Sequence, residues 1–361
     1  MMSSRQWVLG VASISFVILL LMGYIVYAYD PYCYYRIPVD RLIVNNYRFL
    51  NAGLIRNANY DTVLIGSSMV QNFDMQLFRE KLHINPVKLT VGALSPEGVN
   101  VIYSAVRKQN RAENVIFCVD IPSLNKEVDE LKVYPLYLYD TNPYNDFKYL
   151  LGYETWMRLL PLNVLLNTME KMGRILPQFY GTHDIDDIGA WDKDAVYGEE
   201  IVLRDYRNRV NQISAQNLCG IEQRMRHNAD KLISTLLGSD DSEGDVHYIF
   251  FFPPYSALFW SQAVKGGYFM HYQSAKRYIV DLLGCYENVT VYDFQVLPEI
   301  MDLNNYKDTT HYSAKINDLM VEHFSRGTMT VNMSTVVDND ERLLSMVKSF
   351  DIVLRSKLTI Q

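Results

Sequence analysis

Three short apolar runs, each closed by a turn residue and followed by a helical pattern, restrict the folds open to this chain more than any other feature. Thr62-Val63-Leu64-Ile65 stops at Gly66-Ser67-Ser68, and Met75 to Leu82 then reads as a helix. Val87-Lys88-Leu89-Thr90-Val91 stops at Gly92, ahead of a helical stretch from about Pro96 to Gln109. Val115-Ile116-Phe117-Cys118-Val119 stops at Asp120-Ile121-Pro122. Strands apolar on both faces belong to parallel sheets covered by helices on either side. The rhythm breaks at residue 126. From there to about 200 the chain is rich in Tyr, Asp, Asn and Leu without a βα repeat, which reads as an inserted, mostly helical cap. Leu203 to Leu237 predicts one long helix, ended by the polar loop that begins at Gly238. The sheet resumes with Val246 to Phe252 before Pro253-Pro254-Tyr255, then a helix near 268 to 284 and a last strand from Val289 to Phe294. The expectation is an α/β, flavodoxin-like, three-layer domain with five parallel strands. After Gly327 a helix from about Val337 to Lys357 packs on the domain or on a membrane surface.

From Trp7 to Tyr29 the chain carries no charge over 23 residues. At about 1.5 Å per residue such a run crosses a hydrocarbon core of about 30 Å with slack for tilt. A signal peptide has an apolar region of only about 7–15 residues and then a small-residue cleavage site, whereas here the run continues into Gly23-Tyr24-Ile25-Val26-Tyr27-Ala28-Tyr29. Arg5 precedes the run, and Tyr24, Tyr27, Tyr29, Tyr32, Tyr34 and Tyr35 crowd its far end, as at a membrane interface. A single-pass anchor in the cell membrane, over residues 1–30, is expected to keep the N-terminus cytoplasmic. A domain over 31–326, with its insertion at 126–200, and a helical tail over 327–361 then lie outside the cytoplasm.

Composition removes several classes. A hydrophobic share of 49% with 21% charged residues excludes wholesale disorder. A net charge of −7 and no long basic run argue against nucleic acid as a partner. Four cysteines without a C-x-x-C pair give no disulfide scaffold and no thiolate zinc site. No metal or cofactor is expected, since neither a phosphate loop nor a dinucleotide-binding glycine pattern is present. The cluster His183-Asp184-Ile185-Asp186-Asp187 offers oxygen ligands but an incomplete set for a divalent cation, and reads as a solvated loop.

In parallel α/β sheets, ligands bind at the carboxyl ends of the strands. There, Ser68 follows the first strand, at a turn that leaves backbone N–H groups beside its hydroxyl, and Gly92 ends the second. Near the C-terminus Asp308-Thr309-Thr310-His311 precedes a helix beginning near Ser313. A D-x-x-H turn can present the imidazole to a serine and leave the carboxylate to orient it, the division of labour of a Ser-His-Asp triad. In this order the residues resemble the SGNH (GDSL-like) hydrolase superfamily. Gly66-Ser67-Ser68-Met69 stands where the G-D-S-L block does. The resemblance implies Ser68 as nucleophile, Gly92 with Ser68 as oxyanion donors, and Asp308 and His311 as the last block. The anchor, the Asp30-Pro31-Tyr32 exit and the G-S-S variant are similar to the membrane-anchored, extracytoplasmic branch of teichoic-acid D-alanyl transfer and polysaccharide O-acetylation proteins.

That likeness implies an acyl, most simply acetyl, transferase or esterase acting on a cell-envelope or exported polysaccharide, with a polysaccharide or acyl-carrier substrate. It also implies membrane lipid around the anchor and a membrane-bound O-acyltransferase as partner. The third block departs from the family's G-x-N motif: Val119-Asp120-Ile121-Pro122 stands there, and Asn125 comes late. Asp120 is open to two roles, binding a sugar hydroxyl at the rim or capping its turn. Tyr255 and Trp260 either stack on a sugar ring at the mouth or pack in the core. The missing Asn and the Tyr-rich insertion keep a second reading open, a non-catalytic glycan-binding or assembly subunit of an acyltransferase system.

Overall fold

A computed structural model of the chain describes residues 3–37, 46–125, 130–159, 184–210, 218–238 and 246–359. Five parallel strands form one sheet: β1 (Thr62–Gly66), β2 (Pro86–Thr90), β3 (Asn114–Cys118), β4 (His247–Phe252) and β5 (Val289–Asp293). Their spatial order is β2-β1-β3-β4-β5, the flavodoxin-like order expected from the sequence. That order reverses between β1 and β3, so a crevice is expected at their carboxyl ends. Twelve α-helices are present among the described residues. The first six are α1 (Ser4–Tyr29), α2 (Tyr47–Asn57), α3 (Met75–Leu82), α4 (Pro96–Gln109), α5 (Phe147–Leu150) and α6 (Tyr153–Leu159). The others are α7 (Glu199–Val210), α8 (Ile221–Leu237), α9 (Ala257–Lys265), α10 (Phe269–Leu283), α11 (Ala314–Arg326) and α12 (Val336–Thr359).

Contacts between Cα atoms divide the chain into two units, Met1–Ala58 with Val133–Ile185, and Asn59–Lys132 with Asp186–Gln361. The second holds the sheet. Every residue of β1 and β2 is buried, as strands covered on both faces must be. On one face Leu64, Ile116 and Phe251 join Phe78, Trp260 and Leu343 in a core shared with α3, α9, α11 and α12. The other face is covered by α4, α8 and α10, which pack in a row. Local chemistry sets the helix ends. Ser95 caps α4 through the Gly98 amide, Pro96 occupies its first turn, and Asn110 closes it in the left-handed conformation.

The pattern read as one helix from Leu203 to Leu237 is two helices, α7 and α8, with 211–217 outside the described residues. Gly220, at φ +71°, sets the start of α8, a backbone state that no residue inside a helix adopts. The tail helix α12 packs on the sheet unit, burying Val336, Leu343 and Val347. Arg277 of α10 is held to α12 by Asp340 at 2.6 Å.

In the first unit, α1 is long and apolar enough to cross a membrane and begins with a Ser3–Gln6 capping box. It ends at Asp30, whose φ of 46° turns the chain sharply.

Candidate active site

The first residue to place is Gly66, at the end of β1. A Cβ there would lie 2.8 Å from Val70 Cγ1 and 2.9 Å from Cys118 Cβ, so only glycine lets the strand turn back this tightly. A short 3₁₀ turn over Ser68–Val70 follows, and the Ser67 hydroxyl accepts from the Met69 amide. Ser68 is thereby lifted to the carboxyl edge of the sheet, only partly buried.

The loop Tyr306–Tyr312 brings the other two groups. Its ends pair as an isolated antiparallel bridge, and the Lys307 amide donates to the His311 carbonyl at 3.1 Å. The Tyr312 hydroxyl donates to the Met69 carbonyl at 2.9 Å, tying this loop to the Ser68 turn. The Ser256 hydroxyl donates to the Thr309 carbonyl at 2.6 Å, and the Tyr306 hydroxyl to Pro254 at 2.7 Å, tying it to the segment after β4.

Ser68 Oγ lies 2.8 Å from His311 Nε2, and His311 Nδ1 lies 2.8 Å from Asp308 Oδ2. The second Asp308 oxygen accepts from the amides of Thr310 and His311 at 2.9 and 2.8 Å. Burial pushes the Asp308 pKa up, but the hydrogen bond and charge of the His311 ring and these two amides outweigh it, holding the carboxyl well below the usual range. An ionised Asp308 accepts the Nδ1 proton. The Nε2 lone pair is left facing Ser68, whose hydroxyl donates to it.

Strand register aligns the remaining candidates. Gly66 pairs with Thr90, so Ser68 and Gly92 stand two residues beyond the same rung of adjacent strands. Among the described residues neither the Ser68 nor the Gly92 amide has an acceptor. A Cβ on Gly92 would meet open space, so no packing demands glycine there. On the other side Ile65 pairs with Phe117, which brings Asp120 level with Ser68. The Asp120 carboxylate accepts from the Tyr255 hydroxyl and, at 2.7 Å, from Ser123, whose amide bonds the Asp120 carbonyl. Of its two anticipated roles, turn capping is the one these contacts serve. Asn125 accepts from Arg224 at 3.1 and 3.2 Å and is committed to α8. Between β3, α4 and α8 lies a shallow, mainly apolar pocket with Leu94, Val119, Asp120 and Leu232 in its wall.

Two expectations are corrected. Trp260 is fully buried, ringed by Phe259, Phe269 and Tyr272 at 5.1–6.4 Å, and Tyr255 is 2% exposed. Neither ring face is open to a sugar, because the Pro253-Pro254 turn and the start of α9 place both in the core. Burial, then Asp120, drive the Tyr255 pKa well above normal, so its hydroxyl stays a donor. In the acidic cluster, Asp186 takes a bidentate bond from Arg79 at 2.6 and 2.9 Å and Asp187 faces Lys193 at 3.2 Å, while His183 lies outside the described residues.

Sequence reasoning missed Trp191 and Lys307. Trp191 meets the His311 ring edge-on, 5.5 Å between centroids at 89°, and Lys307 Nζ sits 3.5 Å from the Trp191 ring centre. The Asn72 side-chain oxygen accepts the Trp191 amide at 2.9 Å and Asp192 accepts the Ala314 amide at 2.7 Å, fixing this strip of the insertion beside α11. The one available signal was a tryptophan in an otherwise polar stretch.

No protein-family model matches the chain, and no curated protein does. Among solved structures, one similar chain is a lipase from a goat rumen metagenome, 9% identical with a TM-score of 0.35, covering 75% of this chain and 98% of that one. At that level the likeness carries no argument about activity, and the chemistry must be read from the geometry.

Proposed function

We propose that the protein is a membrane-anchored, extracytoplasmic serine acyltransferase or esterase of SGNH type that acts on O-acyl, most simply acetyl, groups of a cell-envelope or exported polysaccharide. The observation that carries this reading is the unbroken chain Ser68–His311–Asp308, with both links at 2.8 Å. Ser68 Oγ attacks an ester or thioester carbonyl while His311 Nε2 takes its proton, and Asp308 holds the resulting imidazolium. The carbonyl oxygen gathers charge opposite the open Ser68 and Gly92 amides. His311 returns the proton to the leaving oxygen or sulfur, then deprotonates a sugar hydroxyl or water, which takes the acyl group from Ser68. The membrane setting rests on α1, and a membrane-bound O-acyltransferase is the proposed partner, handing acyl groups across.

A fluorophosphonate probe tests the core of this proposal. Wild type is expected to be labelled and Ser68→Ala not; equal labelling removes Ser68 as nucleophile.

One observation favours a second reading, an assembly subunit without catalysis. Where the SGNH pattern has G-x-N, the block Val119-Asp120-Ile121-Pro122 offers no side-chain amide to an oxyanion, and Asp120, level with Ser68, is a carboxylate that cannot donate. Polysaccharide acetylation by NMR separates the two. Under the catalytic reading Ser68→Ala and His311→Ala match a deletion strain; under the assembly reading they match wild type. No change in any strain ends both.

A further inference from the structure

We infer that the segment Pro143–Leu159 lies in the membrane interface, its exposed aromatic side chains immersed at the boundary between lipid headgroups and acyl chains. The inference rests on the reading of α1 as a membrane span and is independent of the acyl-transfer reading.

The 26 residues of α1 extend about 39 Å at 1.5 Å per residue, some 9 Å more than a hydrocarbon core of about 30 Å. Its last turns, with Tyr24, Tyr27 and Tyr29, therefore belong to the interface. Both α5 and α6 pack on α1. The place of contact is set by Gly23, where an added Cβ would stand 3.8 Å from Leu150 Cβ. Six residues, about 9 Å of rise, separate Gly23 from the end of α1. A segment seated there is at the level of the headgroup boundary and not out in water.

Its attachment is rigid. Asp30, 1% exposed, accepts from the Tyr34, Tyr35 and Arg36 amides at 2.8–2.9 Å and from the Tyr149 hydroxyl of α5 at 2.8 Å. The Tyr34 hydroxyl donates to Asp146 at 3.1 Å, and Trp156 Nε1 of α6 donates to the Leu150 carbonyl at 3.0 Å. Arg36 stacks on Tyr27 at 4.5 Å, a cation at the level of the phosphates.

With one side spent on α1 and the Asp30 clasp, the segment turns large apolar groups outward. Tyr144 is 89% exposed, Tyr153 73% and Phe147 56%. Aromatic side chains in that density, joined to a membrane span, are what an interfacial segment presents to lipid. Lipid is the occupant because the surface adjoins α1, whose stretch from Val11 to Leu21 is exposed throughout.

The test is spin labelling of the full chain in phosphatidylcholine–phosphatidylglycerol nanodiscs, in a background with the exposed Cys219 and Cys285 replaced by Ser. Single cysteines are introduced by Phe147→Cys, Tyr153→Cys, Phe16→Cys within α1, and Met270→Cys on the exposed surface of α10. Collision with oxygen is expected to exceed collision with an aqueous nickel chelate at 147 and 153, as at 16, and the reverse at 270. Labels at 147 and 153 as open to nickel as 270, with 16 in lipid, overturn the inference and spare the anchor. Labels shielded from both quenchers show a protein partner, such as a second copy, and also overturn it. An aqueous label at 16 removes the anchor and the inference together.

Discussion

Asp308 is the residue whose chemistry is most fully determined by its neighbours. Its side chain does not reach Ser68; it fixes which nitrogen of His311 carries the proton. Asp308→Asn keeps the shape but places an amide opposite Nδ1, favouring the wrong tautomer, and kcat is expected to fall by about 10³–10⁴ with KM little changed. The same carboxylate makes stability depend on pH. Its folded pKa lies below the unfolded value of about 3.9, so its stabilisation is fully present above that value and disappears as pH falls through the folded one. Denaturant midpoints are expected to separate wild type from Asp308→Asn at pH 6–7, the gap narrowing as pH falls below about 4 and closing only at the much lower folded pKa. A gap that does not narrow in acid would assign the stabilisation to something other than this ionisation. Of the site, Ser68, His311 and Asp308 were readable because strand ends and a D-x-x-H turn are local patterns. Trp191 and Lys307 were not, since a ring laid against His311 from 120 residues away leaves no local trace.

At the scale of elements, two helices are fixed by buried charge. Lys276 of α10, fully buried, contacts Asp293 at the end of β5 at 2.9 Å and Asp340 of α12 at 2.7 Å. Removing Asp340 leaves that ammonium under-compensated and frees Arg277, so Asp340→Ala is expected to cost about 3–5 kcal/mol by chemical denaturation. Asp338, exposed on the same helix, provides the control, with Asp338→Ala expected within about 0.5 kcal/mol of wild type. Equal effects would mean that α12 is held by its apolar face alone. The turn after α1 makes the parallel case. Burial raises the Asp30 pKa against the pull of the Tyr149 hydroxyl and three amides, yet all four donors need an acceptor. Asp30→Asn turns an NH₂ toward some of them, and a loss of about 2–4 kcal/mol is expected, read as unfolding of the segment that carries Tyr149. In the sequence Asp30 was visible as the polar residue that ends the apolar run and opens the Asp30-Pro31-Tyr32 exit, not as a buried acceptor. Its partner stands 119 residues away, and no periodicity points to such a pair.

The whole molecule divides into what local patterning controls and what it does not. All five strands and most helices followed from apolar runs and caps, since a buried parallel strand and a capped amphipathic helix each impose their own spacing. The break at Gly220 was hidden because an amphipathic pattern runs on through a single glycine. The grouping of Val133–Ile185 with Met1–Ala58 was hidden for a different reason: it is made by side chains such as Tyr149, Asp146 and Tyr139, which meet α2 or the exit of α1 only in three dimensions. Orientation across the membrane brings the two scales together. The proposed orientation puts Arg5, in the first turn of α1, on the cytoplasmic side and the tyrosines at the other end of α1 at the outer interface, with the basic end inside. In the proposed orientation the Ser68 site faces the compartment where envelope glycans are exposed. An alkaline phosphatase fused after Gln361 is expected to be active, because it folds only after export, and a cytoplasm-dependent reporter at the same position to be silent. The opposite pair of results would put the triad in the cytoplasm and remove exported polysaccharide as its substrate, while leaving the acyl chemistry of Ser68 intact.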